Sequence, residues 1–411
     1  MQIKIAVIGG GAAGMMAAIA AARNGANVTV IEATNRIGNK ILLTGNGKCN
    51  FSNLFLDDTC YYCKDSEFLQ KVISRFSPEN TMDFFKKAGM LVKNKDGYLY
   101  PLGEQASIVL DIFRMELKRY NVSILTDTKV VRLAKEMDIF IAEDENGNKY
   151  RFDKVIVATG GRSYPKTGSD GNGYKLAKKM GHRIVPTVPA LVQLVGADDF
   201  YKVITGVRSD GIVSLHIQDE MTRFERGEIQ FTDYGISGIP VFQISRLAAY
   251  GLFEKKKVTL CVDVLPDMTS DNIKKAVEER ILLRENNTLE EFMCGFANKK
   301  LCLLAIKMTG NKPTEPVINK TVSEILNMVL YLKNMRFHIQ DTKGYQTAQV
   351  TAGGVATDEV DENLQSELVK GLYFAGEMID VDGICGGYNL QWAFSSGYVA
   401  GMDASIKKVN K

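Results

Sequence analysis

Apolar runs and glycine clusters divide the start of the chain sharply. Ile3–Ile8 is short, mostly apolar and rich in Ile and Val, the pattern of a strand buried on both faces. Ala12–Asn24 is rich in Ala and Met and predicts a helix; Gly25-Ala26 turns the chain, and Asn27–Ile31 predicts a second strand. Together they make one βαβ unit. Further on, Ser66–Gly89 reads as helical with a start near Pro78, Ala106–Tyr120 as an amphipathic helix, and Val122–Leu125 as a strand. Lys129–Leu133 and Asp138–Ala142 predict a meander around the turn Glu145–Asn148. Lys154–Ala158 is another buried strand, ending in Thr159-Gly160-Gly161.

From about Pro189 the texture changes. Ile212–Ile217 and Glu228–Phe231 alternate as strands do, Val258–Val264 is β-rich, and Ser270–Met308 is charged and helix-like. Near Ala348 the first texture returns, with a strand at Leu372–Ala375 and a small-residue helix at Tyr388–Met402. Ser405–Lys411 is expected to fray. The pattern predicts an α/β protein: a Rossmann-type domain in two pieces, 1–189 and 346–411. The insert, 190–345, has a β-barrel-like part (190–265 and 310–345) and a small helical part (266–309), which is expected to shape a substrate entrance.

Composition narrows the class. At 411 residues the chain has room for two or three domains of roughly 100–200 residues. Lys and Arg total 51 against 48 Asp and Glu, a net charge of +3, so no large basic excess points to nucleic acid. Seven Cys, irregularly spaced, do not make a disulfide framework and fit a reducing cytoplasm. Ile5–Ala22 is apolar throughout, but the glycines at 9–11 and 14 break it and no stop-transfer pattern follows. The expectation is a soluble cytoplasmic protein with a small-molecule substrate and neither membrane nor nucleic-acid partner. Its oligomeric state stays open.

Gly9-x-Gly11-x-x-Gly14 follows a strand and opens a helix. In that setting Gly9 makes the tight turn and Gly11 admits a pyrophosphate close to the backbone. Gly14 lets the helix pack on the sheet, and the helix N-terminus faces the phosphates. Glu32 closes the second strand, where a carboxylate accepts from ribose hydroxyls. It disfavours a ribose 2′-phosphate but does not separate NAD from FAD. Three later segments favour FAD: Val155–Gly161 with Thr159 and Gly160; Gly371–Glu377 with Gly376, Glu377 and then Asp380; and Gly386-Gly387-Tyr388-Asn389. In the last, the N–H groups at a helix start suit the electron-rich pyrimidine edge of a flavin. The glycine-dense loop Asn39–Asn53 offers backbone, Lys40 or Lys48 to a diphosphate.

The segments Gly9–Ala22, Leu42–Asn53, Ala158–His182, Phe231–Pro240, Val350–Val355 and Gly371–Gly401 resemble the BaiN-like/aminoacetone oxidase-like family of FAD-dependent flavoproteins. The resemblance spans almost the whole chain. It implies a FAD-binding Rossmann domain whose β-barrel insert carries a small helical domain. It implies FAD contacts at Gly9–Gly14, including Ala12 and Ala13, at Glu32 and Lys40, and in the loop through Ile41, Gly47 and Asn50. It also implies an adenine contact at Val130 and flavin or ribityl contacts at Gly376, Asp380, Gly387 and Tyr388–Leu390. Many members carry His where Asp233 stands and Pro where Ile239 stands, so no role of that His transfers here.

Other residues compete for chemistry. Cys60-x-x-Cys63 has the spacing of a redox pair or half a zinc site, but no second Cys or His pair lies at metal spacing. Cys385 precedes Gly386 at the expected flavin end, and Tyr164 and Lys166 lie in a loop near the second nucleotide segment. His182, His216 and His338 form no cluster, and His182 reads as a helix C-terminal position. No catalytic base and no metal site emerge. The expected function is that of an FAD-dependent oxidoreductase. The favoured form is an NAD(P)H-supported reductase of an activated C=C bond in a bile-acid- or steroid-enone-like molecule, with hydride passing through flavin N5 in a pocket between the domains. The alternatives are an O2-dependent amine or aminoketone oxidase and a flavin-binding partner in RNA modification or regulation that does not turn over. No second dinucleotide motif follows a later strand, so NAD(P)H would be a transient visitor.

Overall fold

The computed structural model describes residues 2–407; of the expected frayed end, 408–411 lie outside the described residues. Strand β1 (Lys4–Ile8) is the centre of the first unit, with Ile5–Ile8 buried as its composition requires. Helix α1 (Ala12–Arg23) follows, then β2 (Asn27–Ile31), β3 (Ser123–Leu125), β4 (Lys154–Val157) and β5 (Leu372–Phe374). These strands form one parallel sheet in the order β5-β4-β1-β2-β3. Val7 pairs with Val30 on one side and Ile156 on the other. The chain therefore leaves β1 toward β2 and later returns on its other flank, the arrangement that opens a crevice at the strands' C-terminal ends.

The last helix, α2 (Tyr388–Ser405), packs on α1 through glycine. A Cβ on Gly397 would collide with the carbonyl oxygen of Ala13, and one on Gly401 with that of Ala17. Ala13 faces 397 and Ala17 faces 401, so the two helices run parallel. α2 begins about eight residues, roughly 12 Å at 1.5 Å per residue, ahead of α1.

Several local expectations need correction. Ser66–Gly89 is two helices, Ser66–Arg75 and Pro78–Lys87, because Ser77 and Asn80 form a capping box and Pro78 occupies the first turn. The meander has three antiparallel strands, Val130–Glu136, Ile139–Asp144 and Lys149–Phe152, and the turn after Asp144 joins the second to the third. A hairpin of Val92–Lys95 and Tyr98–Pro101, with Ser52–Asn53 added at its edge, was not expected. Asp96 and Gly97 both have positive φ (50° and 89°), the conformation that a two-residue hairpin turn demands.

Contacts divide the chain into two compact units, one running up to Pro189 and again from Gln349, the other Ala190–Ala348. The second contains a closed barrel. Its strands, in barrel order, are Leu194–Gly196, Gly235–Ser237, Glu220–Phe231, Arg208–Ile217, Val258–Asp263 and Met335–Thr342. Alternate residues such as Val213, Leu215, Leu260, Val262 and Phe337 are buried in one core with Val241, Ile244 and Ala248 of the helix Ile239–Phe253. The helical part comprises Ser270–Arg284, Leu289–Met293, Lys299–Met308 and Val322–Tyr331. That last helix lies inside 310–345, where the sequence pattern predicts barrel. Thr321 and Glu324 form a capping box at its start, and a barrel strand resumes only at Met335.

Candidate functional site

The glycine turn after β1 separates glycines the fold needs from one it does not. Gly9 has φ +106°, and a Cβ there would lie 2.5 Å from the Ala158 carbonyl oxygen at the end of β4. A Cβ on Gly14 would collide with the Gly9 carbonyl. Gly11 is different. Its backbone (φ −79°, ψ −171°) suits any residue, and a Cβ there would meet nothing within 4 Å. The first intrahelical bond of α1 runs from Met15 N–H to Gly11 O, so the N–H groups of Ala12, Ala13 and Gly14 precede it.

Glu32 lies beside this turn, buried at the end of β2. Its Oε2 accepts from Gly10 N–H at 2.8 Å, and its Oε1 from the Thr34 amide at 2.8 Å and hydroxyl at 2.7 Å. Oε1 thus has both lone-pair positions filled, and Oε2 keeps one. A Cβ on Gly168 would lie 3.4 Å from Glu32 Oε1, so the loop after β4 closes over this carboxylate. Val130 begins its strand nearby, its carbonyl accepting from Asn172 Nδ2 at 2.7 Å.

Lys40 and Glu377 meet although 337 positions separate them. Lys40 Nζ donates to Glu377 Oε2 at 2.6 Å and to Ser163 Oγ at 2.7 Å. Glu377 Oε1 accepts from Ser163 Oγ at 2.8 Å and Thr351 N–H at 2.6 Å. Burial alone would push this carboxyl up. The Lys40 charge and the three donors outweigh burial and hold it below the usual carboxylate range. Thr159 Oγ1 faces the Met378 sulfur at 3.1 Å. Gly160 (φ +71°) leaves room for Ser169, whose hydroxyl is buried without a hydrogen-bond partner. Gly376 donates to Ser396 Oγ and accepts from Trp392 Nε1, which fixes the end of β5 to α2.

At the start of α2, Gly387 has φ +92°, and a Cβ there would lie 2.8 Å from Asn50 Oδ1. That oxygen is buried and has no hydrogen-bond partner. Ile41–Gly47 is a short 3-10 segment leading to Asn50. The first intrahelical bond of α2 is Gln391 N–H to Gly387 O, so the N–H groups of Tyr388, Asn389 and Leu390 precede it. The side chains of Tyr388 and Asn389 are engaged elsewhere. Tyr388 donates to Phe55 O at 3.0 Å, and burial pushes its phenol well up. Asn389 brackets Gly383, accepting from its N–H at 2.8 Å and donating to its carbonyl at 2.7 Å. What these two residues offer a ligand is backbone. Asp380 follows β5, half-buried, its own N–H bonded to Val355 O.

The structure thus brings the glycine turn, Glu32, Lys40, Asn50, Glu377 and the start of α2 into one unit. Lys48 does not join them: it is exposed and paired with Glu104 at 2.9 Å. Cys60 and Cys63 are free thiols on either side of the two-residue strand Tyr61–Tyr62. Burial pushes the Cys63 thiol up to about 11, the opposite of an activated thiolate. Tyr164 has a left-handed backbone (φ +51°) at the loop after β4. His182 is buried against Ser366 and Phe374. Sequence reasoning missed Ser163, Thr351, Ser169 and Asn172. Ser163 lies two residues past the Gly160-Gly161 pair and was within reach of that motif; Thr351 lies in the segment Val350–Val355, which carries the family resemblance but points to no role for it. Among the described residues no group of three or more His, Cys, Asp or Glu is placed to hold a metal ion.

Comparison with known proteins settles the family. A model of the HI0933-like protein Rossmann domain matches residues 3–403. The chain belongs to the HI0933-like family. It is an FAD-dependent oxidoreductase. Within curated relatives it is similar to a 3-dehydro-bile acid delta(4,6)-reductase of Clostridium scindens, with 42% identity over 98% of this chain and 99% of that protein. It is also similar to a ribosomal RNA dihydrouridine synthase of Escherichia coli strain K12, with 30% identity over 98% of each chain. Its fold is like that of a 3-ketosteroid-delta4-(5alpha)-dehydrogenase from Rhodococcus jostii RHA1 (TM-score 0.51, 15% identity, 99% of this chain and 97% of the other). For this HI0933-like chain that last likeness shows the fold alone.

Proposed function

We propose that this chain reduces a carbon–carbon double bond conjugated to a carbonyl in a small, largely apolar molecule, with NAD(P)H as a transient electron donor. Three observations support a fit to FAD. Gly11 is a glycine that neither packing nor backbone angle requires, as a close-lying diphosphate would. Asn50 Oδ1 is a buried acceptor awaiting a donor beside Gly387. The starts of α1 and α2 run parallel, offset by roughly 12 Å, so two sets of N–H donors serve two ends of one long ligand.

In this reading the N–H groups of Ala12, Ala13 and Gly14 bind the diphosphate, and Glu32 accepts from a ribose hydroxyl with the remaining lone pair of Oε2. Val130 contacts adenine. Lys40, Ile41, Gly47 and Asn50 line the side of the site. Thr159, Gly160, Gly376, Glu377 and Asp380 close it at the strand ends, with Glu377 holding Lys40 in position. Gly387 and the N–H groups of Tyr388, Asn389 and Leu390 face the flavin's pyrimidine edge, where the positive helix end favours negative charge. FAD, when bound, supplies two-electron chemistry between donor and acceptor. The double bond takes up two electrons and two protons; NAD(P)H gives two electrons and one proton, and solvent gives the second proton. The division 1–189, 190–345 and 346–411 and a cytoplasmic location belong to this proposal. Among the described residues no helix is long and apolar enough to cross a membrane.

The observation that carries the reading is full-length similarity to a protein named as a 3-dehydro-bile acid delta(4,6)-reductase. A second reading, reduction of uracil in RNA, draws on the relatives named as dihydrouridine synthases. Anaerobic mixing with NADH or NADPH tests both. The expected result is loss of the flavin's visible absorbance, then its return on adding a conjugated enone. Return only on adding a uridine-containing RNA supports the second reading, and return only with O2 after reduction by an amine supports an oxidase.

A further inference from the structure

We propose that Cys294 and Cys302 form a peroxide-sensitive thiol pair that closes reversibly into a disulfide in the helical part. The pair lies wholly within the second unit and is independent of which double bond the flavin reduces. Among the described residues Cys294 is the one exposed cysteine, whereas Cys302 is buried. Cys294 follows the helix Leu289–Met293, and Cys302 sits in the first turn of the helix Lys299–Met308. The turn between them folds back on itself. Phe296 N–H donates to Met293 O at 3.2 Å, and Cys294 bridges Ala297. The Cys302 thiol donates to the same Met293 carbonyl at 3.3 Å and lies 3.6 Å from Ala297 O. That carbonyl belongs to the peptide bond entering Cys294, so Cys302 Sγ lies within about 6 Å of the Cys294 Cα. Disulfides span Cα–Cα distances of roughly 4.4–6.8 Å. Gly295, at φ +94°, gives the turn the freedom to close the remainder.

The surroundings divide the work between the two thiols. Arg280 donates from Nη2 to the Cys294 carbonyl, and its guanidinium is fixed over the rings of Phe292 (5.6 Å) and Phe296 (5.1 Å). A Cβ on Gly295 would lie 3.5 Å from Arg280 Nη1. Lys299 also lies within the field of Cys294, although Glu290 pairs with it at 2.7 Å. An open thiol beside a fixed cation is the one an oxidant reaches first. Burial pushes the Cys302 thiol up, charge on Cys294 pushes the same way, and Arg280 offsets part of this. Cys302 is thus the resolving partner. In the first step the Cys294 thiol takes one oxygen from hydrogen peroxide, becoming a sulfenic acid and releasing water. In the second, the Cys302 sulfur displaces that oxygen; the S–S bond forms, and the oxygen leaves as water with the Cys302 proton. Two thiols are oxidised and one peroxide is reduced to two waters.

The test treats the FAD-loaded full chain, reduced with dithiothreitol and desalted, with a small excess of hydrogen peroxide. Remaining thiols are blocked with N-ethylmaleimide, and the cysteines are mapped by peptide mass spectrometry. The expected product links the Cys294 and Cys302 peptides, lacks two hydrogens, and returns to two thiols with dithiothreitol. Cys294 is expected to react at least about tenfold faster than Cys60, Cys63 or Cys385. In C302A, dimedone is expected to label Cys294 as the trapped sulfenic acid. C294S, altered at an exposed position, is expected to leave Cys302 unmodified, and it decides the matter if C302A does not fold. A first link between Cys60 and Cys63, a Cys294 sulfenic acid that never passes to Cys302 in the natural protein, oxidation of Cys302 in C294S, or no loss of thiols overturns the pair.

Discussion

Gly11 separates packing from ligand binding more cleanly than any other residue. A methyl group there enters open space at an allowed backbone angle. G11A is therefore expected to leave the stability of the flavin-free protein within about 0.5 kcal/mol, while weakening FAD binding by more than about tenfold. Thermal unfolding of the flavin-free protein and a fluorescence titration with FAD read the two effects separately. Glu104 makes a different prediction. Hydrogen bonds and charge from Lys93 and Lys48 hold its carboxyl down at about 2, against an ordinary value of 4.5. Its pairing thus stabilises the fold above about pH 4.5 and is lost as the pH falls toward 2. The difference in urea midpoint between the natural protein and E104Q should be constant near neutrality and close over that window. Of the site residues, Gly9, Gly14 and Glu32 were legible because turn, packing and strand end sit together in a short stretch of sequence. Thr351 was not: its role is to donate to Glu377 and to receive the amides of Arg162 and Ser163, nearly 190 positions away.

At the scale of elements, the contact between α1 and α2 is where sequence and site meet. Substituting Ala for Gly inside a helix usually gains about 1 kcal/mol of propensity. At Gly397 that gain is outweighed, because the new methyl meets the Ala13 carbonyl, which belongs to backbone and has nowhere to retreat. G397A is expected to destabilise the protein by about 1–3 kcal/mol and to lower FAD affinity by parting the two helix starts. Chemical denaturation alongside an FAD titration checks both; a stabilised variant with full affinity would contradict the packing described. The βαβ unit was legible because its apolar positions follow two clean periods. The hairpin at Val92–Pro101 was missed although Asp96-Gly97 is a strong turn signal, since its first strand, Val92–Lys95, is mostly polar and exposed. The helix Val322–Tyr331 was assigned to the barrel because a short apolar run reads equally well as strand or helix, and Thr321 with Glu324 was the capping signal that would have decided it.

At the scale of the whole molecule, the proposed function requires one FAD gripped at two ends by elements almost a chain length apart: the turn at Gly9–Gly14 with Glu32, and the start of α2 with Asn50. Parallel helices offset by roughly 12 Å make that geometry available. The most direct measurement is a comparison of FAD, FMN and ADP binding to the flavin-free protein by titration calorimetry. If both ends contribute, FAD binds at least about a hundredfold more tightly than either fragment. FMN binding as tightly as FAD would mean that the glycine turn and Glu32 hold nothing, and the two-ended site would be wrong.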